Sequence, residues 1–116
     1  MEKIQSKIII LIKLLLTLAF GAAGIAKLMG AEMMVATFDA VGVGQWFRYV
    51  TGIIEVSGAL LLWVNGRQAI GAGLLTCTMI GAVVAHIFVI GPSAMPAAVL
   101  GVLSAYILFK HKDQVL

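Results

Sequence analysis

Four residues of this sequence carry chemistry in an apolar setting: Lys27, Arg48, Glu55 and His86. Glu55 lies nine residues after Trp46, inside the mostly apolar segment 46–64. On a helix that is about 13–14 Å, which reaches the middle of a bilayer core of roughly 30 Å. A carboxyl at that depth is costly, faces protein rather than lipid, and is a functional site by default. Loss of water favours its neutral form, and a nearby cation favours the carboxylate. A glutamate held between the two can exchange a proton, or bond a carbonyl or hydroxyl group on a lipophilic ligand. His86 stands four residues from the end of segment 69–90, about 6 Å below the same surface, as a second donor or proton carrier. Lys27 and Arg48 stand on that side too, at the ends of segments 8–28 and 46–64.

Each residue also has a plainer reading. Lys13 and Lys27 snorkel to the headgroups, and Arg48 anchors a helix end. His86 hydrogen-bonds a neighbouring helix. Cys77, the single cysteine, is a packing residue and excludes both an internal disulfide and a Cys-x-x-Cys redox pair. For Glu55 no surface reading is open. It is paired with Lys27 or Arg48, hydrated, or protonated. No metal is expected, because His86 and His111 fall on opposite sides of the membrane. No nucleotide loop, haem motif or nucleophile elbow occurs, so no covalently bound cofactor is expected and no catalytic residue is assigned.

The elements that must position these residues follow from composition. Of 116 residues, 62 % are hydrophobic and 11 % are charged. A soluble domain this small needs far more polar surface, and a disordered chain far more charge. The mean hydropathy of +1.11 agrees. The class is all-α: an integral membrane four-helix bundle in one domain, with spans at about 8–28, 46–64, 69–90 and 94–109. Asn65-Gly66 and Gly91-Pro92-Ser93 mark turns, with Ser93 a cap and Pro96 in the first turn of the last span. The outer loop 29–45 places Met33, Met34, Phe38 and Val41 at helical spacing, which fits a short interfacial helix or a plain loop. Lys3 and Lys7 before an apolar run resemble a signal peptide, with Gly21-Ala22-Ala23 as a cleavage site, but the run is too long and counts as a span.

Lys3, Lys7, Arg67, Lys110 and Lys112 share one side, which places both termini in the cytoplasm. The expected location is a bacterial-type plasma (inner) membrane, multi-pass. The net charge of +3 is spread along the chain, so nucleic acid is not an expected partner.

Helical phase gathers the polar set. Arg48, Thr51, Gly52, Glu55, Gly58 and Ala59 share one face, and Gly24 shares a stripe with Lys27. In the third span Ala69, Gly73, Cys77, Gly81 and Ala85 recur every fourth residue, a small-residue seam for helix packing or a homo-oligomer.

Gly24-x-x-Lys27-Leu28, then Gly42-Val43-Gly44, then Gly52-x-x-Glu55-x-x-Gly58-Ala59-Leu60-Leu61-Leu62, and finally His86 form a longer pattern. It resembles the DoxX-like family of small four-helix membrane proteins, over nearly the whole chain, with matched positions Gly24, Lys27, Glu55, Gly58 and His86. The resemblance implies a transmembrane four-helix bundle. The family takes its name from a subunit linked to thiosulfate:quinone oxidoreductase; other members accompany membrane redox complexes, and related eukaryotic proteins assemble membrane receptors. One cysteine and no soluble domain argue against a complete oxidoreductase in one chain.

Three functions are weighed. The first is an accessory subunit of a membrane redox system, with a quinone-like ligand near Glu55, His86, Lys27 and Arg48 and a redox partner protein. The second is a membrane-protein assembly factor or chaperone. The third is a proton-coupled exporter like the small multidrug transporters, although those carry their glutamate in the first span.

Overall fold

The computed structural model describes residues 2–90 and 94–115. Five α-helices account for most of them: α1 (Glu2–Met29), α2 (Glu32–Val41), α3 (Trp46–Leu61), α4 (Gln68–Ala85) and α5 (Met95–Lys110). A π-helical turn, His86–Ile90, extends α4, and a 3₁₀ turn, Lys112–Gln114, follows α5. No strand occurs among the described residues. The Gly91-Pro92-Ser93 turn and the Ser93 cap lie outside the described residues. Lys3–Met29 and Gln68–Phe88 are long and apolar enough to cross a membrane; α5 is apolar but shorter.

α1 packs on α3, α3 on α4, and α4 on α5, while α1 and α5 meet more sparsely. Successive pairs run antiparallel. Gly24 of α1 meets Gly52 of α3, and Thr17 of α1 meets Trp63 just beyond α3. Gly58 of α3 faces Gly71 of α4, and Met79 of α4 faces Gly101 of α5. Leu16, Phe20, Ala59, Leu62, Leu75, Met79 and Ile107 fill the space between them.

Glycine permits two of these crossings. A Cβ on Gly71 would stand 2.6 Å from the Gly58 carbonyl oxygen, and one on Gly24 would stand 2.7 Å from Val56 Cγ2. Close backbone approach of this kind is how helices gain packing energy where lipid removes the hydrophobic drive. In α4 the face packed within the chain follows the expected seam only at Ala69. Gly71, Ala72, Leu75 and Met79 are buried, whereas Cys77 and Gly81 are exposed and Gly73 meets only Leu108, at 4.0 Å. α4 is apolar all round, so its periodicity marks no side.

The segment between α1 and α3 forms the helix α2 rather than a plain loop. Gly30 makes the turn into it. With φ +73° it takes the left-handed conformation that closes α1, its N–H bonding Lys27 O while the Ala31 N–H bonds Ala26 O. Phe38 anchors α2 edge-on to Phe47 of α3, ring centres 6.0 Å apart. Lys13 departs from its expected snorkelling position. It is 8 % exposed, with its ammonium 5.9 Å from the Trp63 ring centre.

Candidate functional site

The polar face of α3 turns inward as its spacing predicts: Arg48, Gly52, Glu55, Gly58 and Ala59 are all buried. Glu55 is 1 % exposed. Its Oε1 lies 2.6 Å from Lys27 Nζ, and Lys27 reaches it from the last turn of α1. The Gly24–Gly52 contact makes this possible, since it brings the two backbones together one turn from both side chains. No other ion pair occurs among the described residues. Of the two cations weighed for Glu55, the geometry selects Lys27.

Beside this pair opens a cavity of about 820 Å³. Lys27 and Glu55 form one wall and His86 another, with Cys77, Thr78 and Gly81 of α4 between helices. Phe20 and Ala23 of α1 and Ala97 and Leu100 of α5 supply apolar surface. Met33, Met34, Thr37, Phe38 and Val41 line it from α2, which packs across α1, α3 and the π turn. α2 is thus the roof of the cavity. The space lies within the range of small-molecule sites, which are mostly apolar with a few convergent polar groups. The arrangement can accept or donate a hydrogen bond at the Lys27–Glu55 pair and at His86. His86 begins the π turn, and its Nδ1 is buried with no hydrogen-bond partner among the described residues. Single π turns are often found at functional sites.

Lys27, Glu55 and His86 therefore share one cavity, and Arg48 does not line it. Arg48 binds the end of α1: an Nη1–H donates to the Lys27 carbonyl. That carbonyl is among the last four of the helix, where a cation is favoured. Arg48 Nε donates to Gln45 Oε1 at 2.8 Å, and the Gln45 amide donates to Val35 O and Asp39 Oδ1 of α2. Arg48 and Gln45 thus join the roof to the end of α1. Gln45 went unremarked in the sequence because a lone glutamine in a loop carries no spacing signal.

Gly24, Gly52 and Gly58 sit at helix crossings; Cys77 and Gly81 stand on the cavity wall and Gly73 at the edge of the α4–α5 contact. No group of three or more His, Cys, Asp or Glu side chains suited to a metal ion occurs among the described residues.

The model of the DoxX-like family matches residues 11–108. A Bacillus subtilis (strain 168) protein named "Uncharacterized protein YdgD" is 38 % identical over 84 residues, covering 68 % of this chain and 73 % of that protein. Another from the same organism, named "Putative oxidoreductase CatD", is 27 % identical over 75 residues, covering 65 % of this chain and 56 % of that protein. The match thus spans little more than half the length of the second relative. No solved structure matches the chain.

Proposed function

The chain belongs to the DoxX-like family, and from that premise we propose that it is an accessory subunit of a membrane redox system that binds a lipophilic, quinone-like ligand. In this reading α1, α3, α4 with its π turn, and α5 form a transmembrane four-helix bundle in a bacterial-type inner membrane, with both termini cytoplasmic. The 820 Å³ cavity walled by the Lys27–Glu55 pair and His86 carries the proposal. Its apolar lining suits a ring and isoprenoid tail, and its polar groups suit a quinone's two carbonyl oxygens. Lys27 donates to one carbonyl oxygen, Glu55 holds the ammonium in place, and His86 offers a second hydrogen bond. The name of one relative as an oxidoreductase supports the redox class. Transport of lipophilic cations is the weaker reading, because Lys27 already compensates the carboxylate such a cation would need.

The test titrates purified protein with a short-chain menaquinone or ubiquinone analogue. Saturable binding is expected, weakened about tenfold or more by Glu55→Gln, as for loss of a charge-assisted hydrogen bond. Absence of saturable binding, or affinity unchanged by Glu55→Gln, rejects the reading. A single membrane partner recovered by crosslinking with no quinone affinity would favour the assembly-factor function instead.

A further inference from the structure

The inner end of the molecule, opposite the cavity, holds a second polar cluster. Lys13 of α1 is 8 % exposed, yet no carboxylate pairs with it among the described residues. Its ammonium faces the Trp63 ring, whose indole N–H is already committed to Thr17 Oγ1 at 2.7 Å. His111, just beyond α5, has a buried Nε2 with no hydrogen-bond partner among the described residues. Burial, and secondarily the charge of nearby Lys13, hold its pKa below the ordinary histidine value. The tail carrying His111 is fixed: Gln114 Oε1 accepts from the Ala69 N–H at 2.8 Å, and Gln114 Nε2 donates to Gln68 Oε1 at 2.5 Å.

A buried cation with no counter-charge among the described residues, and an orphaned imidazole nitrogen at the same end of the fold, where Leu16 of α1 and Ile107 of α5 share one core cluster, are each costly alone. One anion between them relieves both. Arg67, Lys110 and Lys112 belong to the same end, which carries two acids in sequence, Glu2 and Asp113. We propose that Lys13 Nζ and His111 Nε2 together bind a phosphate-bearing anion at the inner end of the molecule, the ammonium by charge and the imidazole N–H by donation to a phosphate oxygen. Basic sites between membrane helices on the cytoplasmic side commonly take lipid headgroups. This site is independent of the quinone-like cavity and stands or falls without it.

Trp63 reports on it directly. In a Trp46→Phe background it is the only tryptophan, so its fluorescence reads the inner end alone. The reconstituted protein is titrated with phosphatidylglycerol brominated on its acyl chains, and separately with brominated phosphatidylcholine. Saturable quenching is expected at about tenfold lower concentration of the anionic lipid. Lys13→Gln and His111→Gln should each erase most of that preference, and Lys13→Arg should keep it. Helical circular dichroism confirms that each variant is folded; should Lys13→Gln not fold, His111→Gln decides. Equal quenching by the two lipids, or a preference that survives both substitutions, overturns the proposal. Addition of inorganic phosphate separates the sources. Release of the brominated lipid at millimolar phosphate identifies the site as one for free phosphate as well, and no release assigns it to the lipid headgroup.

Discussion

At the scale of single residues, the Lys27–Glu55 pair is asymmetric. Glu55 is 1 % exposed and anchored mid-helix, whereas Lys27 is 13 % exposed on a flexible stem at a helix end. Removing Lys27 strands a carboxylate that is 1 % exposed and held mid-helix. Removing the charge of Glu55 leaves an ammonium that can swing outward. Lys27→Met should therefore cost about 3–5 kcal/mol, the usual penalty for orphaning a buried charge, and Glu55→Gln clearly less. Lys27→Met combined with Glu55→Gln should recover most of the loss. Thermal unfolding of the four proteins in one detergent checks this as a double-mutant cycle. Equal costs for the two single substitutions would show that the pair is not the partner that holds Glu55 in place.

At the scale of elements, the helices differ in how much of their packing the sequence discloses. α3 carries Arg48 and Glu55, which are costly against apolar surroundings, and these mark its buried side; Gly52, Gly58 and Ala59 on that side are buried as the spacing predicts. α4 has no charged residue to break the symmetry, and small residues occur on two of its faces. Its every-fourth-residue seam through Gly73, Cys77 and Gly81 is not the face that packs within the chain, where Gly71 makes the contact with Gly58. Lys13 misled for a related reason: a lysine near a helix start has a lipid-surface solution, and only the position of Trp63 shows that it turns inward. The two glycines of α4 give a clean comparison. Gly71→Ala drives a methyl to 2.6 Å from a backbone oxygen that cannot move aside, and should cost about 1–3 kcal/mol as overpacking. Gly81→Ala meets nothing within 4 Å and should be neutral or, through better helix propensity, slightly stabilising. Unfolding of both variants in detergent checks the difference; a larger loss for Gly81→Ala would return the packed face to the expected seam.

At the scale of the whole molecule, the two ends are unlike in charge, and the structure sharpens the contrast. Lys27 and Arg48 counted as cations of the outer side in the sequence. One is engaged by Glu55 and the other is 5 % exposed on the end of α1. What this end presents is α2, with Glu32 in its first turn and Asp39 further on. The opposite end presents Lys3, Lys7, Arg67, Lys110 and Lys112, all exposed. Orientation in a membrane follows the side on which Lys and Arg remain in short flanking segments. Burial of the outer cations within the fold leaves that bias undivided, so α2 should lie outside the cell and the tail after α5 inside. In a Cys77→Ala background, Ala40→Cys in α2 should react with a membrane-impermeant maleimide on intact cells. Val115→Cys should react only after the cells are permeabilised. The reverse pattern would invert the molecule, place the Lys27–Glu55 cavity beneath the cytoplasmic face, and put the Lys13–His111 site out of reach of inner-leaflet phosphate.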